Sequence, residues 1–403
     1  MTTNAPNPIE LDAAIIGAGV AGLWTLDALT RAGFAAVLIE KDAVARGQTM
    51  WSQGILHSGL KYTLAGSLTG AARAISDLPE RWDAARTGAG GPDLTGLRLR
   101  AEHCYLWRTE SLASKLGMIG AKAGLKTKPI ALDDDMKPAV LRACPGTVAR
   151  LDEVVLCPWS LASELASAHA GRVLRTEHDI GVALDGGGAV GAVTISTGER
   201  TLTFAPRFVV ITAGNGAAEL REKMDLPSTA MQVRPLRMTL LRGPLPLLNG
   251  HCVDGNKTRV TITSDRIDDD TAVWQIGGEV AEIGHSMTAE ACIVNTRNEL
   301  LGCVPGLDTS KCHWATYLAP RAEGRTKNGR RPENPTVLLE KNVITAWPSK
   351  LVAAPLTADL ILEKFPEPSG SGAITIDDWP TPEIARLPWD GDVKWIADAD
   401  AGG

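Results

Sequence analysis

The sequence predicts an α/β protein. It should hold a doubly wound nucleotide fold built from separate pieces of chain, plus a second α+β domain with a mostly antiparallel sheet. Three observations carry this expectation. An apolar strand runs into a glycine turn and a helix near the start. A second apolar strand runs into another glycine turn mid-chain. Between and after these lie many short alternating segments.

Residues 13–40 read AAIIGAGVAGLWTLDALTRAGFAAVLIE. The run Ala13–Ile16 is followed at once by Gly17, Gly19 and Gly22 in G-x-G-x-x-G spacing. Gly17 allows the tight turn, and Gly19 lets backbone approach a pyrophosphate. Gly22 lets the helix pack close to the strand. Val20 and Ala21 open the helix, whose positive amino end receives the phosphates. Leu23, Leu26 and Leu29 share one helical face, and Gly33 suits the helix end. The strand from Ala35 to Ile39 delivers Glu40, placed for ribose hydroxyls, with Lys41 beside it. A glycine turn alone is weak evidence. The full strand, turn, helix, strand and acid order specifies a Rossmann-like dinucleotide site.

Farther along, residues 70–86 and Leu161–Ala170 have helical character. Val173–Leu184, Ala189–Ser196 and Thr201–Phe204 alternate as strands. Phe208–Thr212 is apolar enough for a buried parallel strand and runs into Ala213 and Gly214. Met238–Leu241, Arg259–Thr263 and Thr271–Ile276 suit an antiparallel sheet, and Val337–Ile344 returns to strand character. Ala353–Lys364 suits an amphipathic helix with Pro355 in its first turn. The expected division is a nucleotide domain over residues 1–90, 145–222 and 325–375, a substrate domain over 91–144 and 223–324, and an extended tail over 376–403.

With 403 residues, 44 % of them hydrophobic, the chain can bury a large core. A net charge of −6 argues against a nucleic-acid partner. No apolar run approaches the roughly 18 residues of a membrane span, and the first residues lack a secretory pattern. The seven cysteines, without any C-x-x-C, suggest reduced structural thiols. These features fit a cytoplasmic protein, with room for peripheral membrane contact and for an oligomer. The histidines show no metal-ligand spacing, so no metal is expected.

Residues 47–62, GQTMWSQGILHSGLKY, add a resemblance. With the first motif, this stretch resembles the flavoprotein family of D-amino-acid oxidase, glycine oxidase and FAD-dependent glycerol-3-phosphate dehydrogenase. The matching positions are Gly47, Thr49, Ser52, Gly54, His57, Gly59, Lys61 and Tyr62. Looser likeness continues through Phe208–Gly216, Gln232–Arg237 and Trp347–Leu351. It covers about residues 12–364.

The resemblance implies FAD in a glutathione-reductase-like fold. A long, tightly held cofactor also explains why the chain would return to it several times. Thr49 and Ser52 hydroxyls would bond the pyrophosphate. Backbone at Gln53, Gly54 and Ile55 would line the flavin edge, Ile180 would hold adenine, and Ser349, Lys350 and Leu351 would close the last loop. Lys61, Tyr62, Arg321 and Lys350 match substrate-binding positions, with Arg321 placed to grip a carboxylate or phosphate. His57, Tyr62 and Arg321 are the catalytic candidates. The implied chemistry is hydride transfer from a small anionic hydroxy acid, amino acid or sugar or glycerol phosphate to flavin N5. Oxygen, a quinone or a carrier protein would reoxidise the flavin. The alternative is a flavoprotein subunit that passes electrons or binds a partner without substrate chemistry of its own. Two departures stand out. Lys61 replaces the glycerol-3-phosphate branch's arginine, and Ala346-Trp347-Pro348 replaces the glycines common in relatives.

Overall fold

The computed structural model describes residues 7–57, 78–109, 129–254, 257–370 and 374–402. The first strand, Ile9–Ile16, lies between two parallel neighbours, Ala36–Glu40 and Arg200–Ile211. Val173–Arg175 extends the sheet beyond Ala36–Glu40, and Val343–Trp347 extends it beyond Arg200–Ile211. Thr336–Glu340 closes the far edge as an antiparallel hairpin. The pieces thus come from the start, middle and end of the chain.

This sheet is buried on both faces, which explains why its strands read as continuous apolar runs. Ala13 and Ile15 enter one core with Leu23, Leu26 and Leu29, whereas Ala14 and Ile16 enter another with Val209 and Ile211. The helices Val20–Arg31, Pro158–Ser167 and Ala354–Leu362 cover the first face. Gly22 sits where a Cβ would lie 2.1 Å from the Gly17 carbonyl oxygen, so only glycine permits this helix–turn contact.

The second sheet runs, in spatial order, through Ile396–Ala397, His313–Leu318, Arg237–Gly243, Ala272–Gly277, Lys257–Arg266, Gly250–Asp254, Cys104–Trp107, Val148–Leu151 and Ile130–Ala131. Its pairings are antiparallel except that Gly250–Asp254 runs parallel to Cys104–Trp107. One face carries Leu240, Val273 and Ala315 toward the nucleotide half, and the other packs Leu241, Trp274 and Trp314 under the helix Ala289–Cys303.

Several boundaries differ from the sequence expectation. Thr201–Phe204 and Phe208–Ile211 join into one long strand, Arg200–Ile211, despite Pro206. Val337–Ile344 is two strands, because Lys341 at φ 53° turns the chain. Helix Ala289–Cys303, absent from the sequence expectation, starts at Thr288, whose side chain accepts a hydrogen bond from the Ala291 amide. The tail beyond residue 376 is not a loose wrap. Trp379 and Trp389 are buried, and Ile396–Ala397 adds a strand beside His313 and Trp314. All seven cysteines are buried and unpaired.

Candidate functional site

Ile9–Ile16, Ala36–Glu40 and Arg200–Ile211 are parallel, so their carboxyl ends open on the same side. Chain order reverses there, the position where open α/β sheets bind ligands. A cleft of about 480 Å³ begins at this point and runs to Arg321 and Ala322, on the strand Arg321–Gly324 that pairs with Met231–Arg234. Gly17, Gly19, Val20, Ala21, Glu40, Lys41, Thr49, Ser52, Ile180, Ala213, Gly214, Ser349, Lys350, Leu351 and Arg321 all line it.

The turn at its centre is tightly held. Glu40 Oε2 accepts from the Ala18 amide at 2.8 Å, while Oε1 accepts from the Lys41 and Asp42 amides at 2.9 Å. Burial nevertheless raises the Glu40 pKa, the amide bonds opposing it. Thr212 Oγ1 donates to the Gly17 carbonyl at 2.8 Å. Gly17 has φ 107°, and a Cβ there would collide with Ala213 backbone at 2.6 Å. Beyond Glu40, Lys41 pairs with Asp179 beside Ile180.

Other candidates fall elsewhere. Gly22 packs behind the turn. Gln53 turns toward the second sheet and donates to Thr261 O and Gln275 O, both at 2.9 Å. Gly54, at φ 74°, lies so close to Leu156 that a Cβ would meet its carbonyl oxygen at 2.1 Å. Ile55 bridges Val155. These three residues therefore form the seam between the two halves and are absent from the cleft lining. His57 is also outside that lining. Its Nδ1 lies 3.3 Å from the buried Glu153, and His251 completes a group whose ligand atoms sit within 4.8 Å of one another. Sequence spacing gave no sign of this group, because its members come from three distant segments. Lys61 and Tyr62 lie outside the described residues.

At the far end of the cleft, Arg321 Nη1 reaches only the Gln48 carbonyl among the described residues, at 3.4 Å. No carboxylate pairs with it among the described residues. The nearby Glu323 is taken by Arg234 at 3.0 Å. Burial lowers the Arg321 pKa. Tyr317 stands close by, its hydroxyl accepting from Gln275 Nε2, and burial pushes its pKa up to about 12. Gln48, Thr212, Gln275 and Tyr317 were missed from sequence. Only Thr212, next to the second glycine turn, carried a local signal.

Comparison with known proteins agrees with this geometry. The FAD dependent oxidoreductase family model matches residues 12–280. A probable FAD-dependent oxidoreductase of Pseudomonas aeruginosa is 35% identical over 394 residues, covering 96% of this chain and 99% of that protein. The crystal structure of the FAD dependent oxidoreductase from that organism superposes with a TM-score of 0.80, at 31% identity, over 96% of this chain and 99% of the other. Glycine oxidase from Geobacillus kaustophilus shares the fold at 17% identity, with a TM-score of 0.61 over 90% of this chain and 96% of that one. Glycerol-3-phosphate dehydrogenase from Bacillus halodurans, solved with FAD, does so at 13% identity, with a TM-score of 0.56 over 90% of this chain and 67% of that one.

The cleft has the donors such a cofactor needs. Ser52 Oγ, Ser349 Oγ and Trp347 Nε1 are buried without a hydrogen-bond partner among the described residues, a costly condition that a polar ligand relieves. Ser349 also holds φ 61°, a strained setting for a residue with a side chain.

Proposed function

We propose, on the premise that the chain belongs to the family of FAD-dependent oxidoreductases, that it oxidises a small anionic substrate at a CH–OH or CH–NH carbon. Bound FAD supplies a hydride acceptor, and the chain supplies binding, orientation and exclusion of water. The observation that carries the substrate class is Arg321, a partly buried guanidinium with no carboxylate partner among the described residues. Its planar fork suits a carboxylate or phosphate. Gripping that anion would fix the neighbouring C–H against the flavin. Tyr317, protonated at neutral pH, would act beside it as a hydrogen-bonding wall rather than a base. Glycine oxidase and glycerol-3-phosphate dehydrogenase, by their names, act on an amine and an alcohol. At their low identity they support the fold alone, so both bond types remain within the proposal.

The test is anaerobic addition of hydroxy acids, amino acids and glycerol or sugar phosphates to the yellow holoenzyme. One small anion should bleach the flavin band. Arg321→Ala should raise the concentration needed by about 100-fold, the loss of a charge-assisted pair. A complete panel without bleaching, together with a stably co-purifying protein, would favour the electron-transfer subunit instead.

A further inference from the structure

A second unsatisfied arginine lies on the short strand Leu99–Ala101, which pairs with Val155–Leu156, and reaches the second sheet at Asp265. The Arg100 side chain is 1% exposed. Its Nε donates to Asp265 Oδ2 at 3.0 Å, and Trp389 from the tail stacks 4.9 Å from its guanidinium. Its terminal nitrogens, Nη1 and Nη2, are both buried and meet no acceptor among the described residues. Asp265 is already shared, since Arg98 grips both its oxygens at 2.9 Å. One carboxylate thus serves two guanidiniums, and four buried N–H bonds remain unmatched on Arg100.

Arg100 is not isolated. Thr263 Oγ1 and Gln275 Oε1 are also buried without partners among the described residues. Thr263 and Gln275 face each other across adjacent strands, and Asp265 follows Thr263 by two residues, on the same side of the pleat. Gln275 holds the Tyr317 hydroxyl, and Tyr317 feels the charges of both Arg321 and Arg100. Tyr317, Gln275, Thr263 and Asp265 thus lie on one face of the sheet beside apolar Leu240, Val273 and Ala315, with Arg100 held at Asp265 and Arg321 following Tyr317 in sequence.

We propose that Arg100 is a second substrate anchor, and that the substrate is an acid with two oxyanion groups, one held by Arg321 and the other by the fork of Arg100. An oxyanion with two oxygens matches Nη1 and Nη2 together and offsets the excess positive charge. A water molecule can accept from both nitrogens but brings no compensating charge. The inference depends on the FAD-oxidoreductase reading above, because Arg321 is its other anchor.

The test uses the yellow holoenzyme and three inert acids: butyrate, glutarate and 3-phosphonopropionate. Binding is followed by flavin absorption shifts and by calorimetry. At least one two-anion acid should bind about tenfold or more tightly than butyrate. Which one does so separates a carboxylate at Arg100 from a phosphate-like group. Arg100→Gln should shrink that preference to within about twofold, while Arg321→Gln should weaken all three acids. The proposal is overturned if butyrate binds as well as both dianions, if none of the three binds, or if Arg100→Gln keeps the preference. If Arg100→Gln does not fold, Arg100→Lys replaces it, and the preference must fall at least about threefold. A colourless preparation would instead overturn the FAD reading, leaving no flavin band to titrate.

Discussion

Thr49 Oγ1 accepts a hydrogen bond from the Val20 amide at 3.0 Å, so a residue of the long connection caps the first helix. That helix opens without a side-chain cap from its own Gly19. Thr49→Val keeps the shape and removes the acceptor. The expected cost is about 1 kcal/mol of stability. FAD affinity should fall about tenfold, since the amino end of the helix would lose its alignment. Flavin fluorescence released on dilution measures this directly. Unchanged retention would mean that Thr49 plays no part in holding the dinucleotide.

Asp265 gives a pH prediction. Burial would raise its pKa, but hydrogen bonds and charge from Arg98 and Arg100 outweigh this and lower it overall. A carboxylate whose folded pKa is depressed contributes stability above its unfolded value, about 3.9, and loses it as pH falls through the folded value. Asp265→Asn leaves Arg100 buried with no anion beside it. At neutral pH the variant should be less stable by about 3–5 kcal/mol. The gap from wild type should narrow below about pH 3.9. Melting curves at a series of pH values check this, and a constant gap would remove Asp265 as the titrating group.

The two halves of the site were unequally legible in the sequence. The nucleotide half depends on local chemistry: Gly17, Gly19 and Glu40 are fixed by a strand, a turn and a helix that adjoin in sequence. The substrate half depends on strand register. Thr263, Gln275 and Tyr317 share one face only because four strands, with Arg237–Gly243 between those of Gln275 and Tyr317, pair in one alignment, and no local pattern encodes that pairing. Gln53, Gly54 and Ile55 show the opposite problem. Their motif was visible, but whether they face flavin or seam depended on Leu156 and Thr261, more than a hundred residues away. Helix Ala289–Cys303 was hidden because Asn295, Thr296 and Asn298 interrupt its apolar spacing.

Tyr317→Phe separates a hydrogen-bonding role from an acid–base role. With its pKa near 12, Tyr317 keeps its proton through any practical assay range. An alkaline limb seen below about pH 10 must therefore belong to another group and survive the substitution. The variant leaves Gln275 Nε2 with the Trp51 carbonyl at 3.0 Å as its remaining partner. Activity should drop about tenfold, in line with one lost buried hydrogen bond. Disappearance of the alkaline limb would assign the proton step to Tyr317.

The tail should act as a strap that can be cut by one substitution. Asp398 Oδ1 accepts from Trp314 Nε1 at 2.8 Å and from Arg297 Nε at 2.9 Å, and Oδ2 accepts from Arg297 Nη2 at 3.1 Å. Trp314 lies on the strand that also pairs with Ile396 and Ala397. Asp398→Ala strands the buried indole N–H and leaves Arg297, partly open to solvent, without its anion. That should cost about 2–3 kcal/mol, the solvent exposure of Arg297 holding the figure down. The strand Ile396–Ala397 would loosen, and so would the hold on Trp389, which lies over Arg100. Hydrogen exchange should therefore rise at residues 396–402 and around Trp389, while the flavin spectrum stays that of wild type. Residues 383–385 already bond Val44 in the nucleotide half, so loss of FAD from Asp398→Ala would instead show that loosening spreads from the tail's end to the cleft.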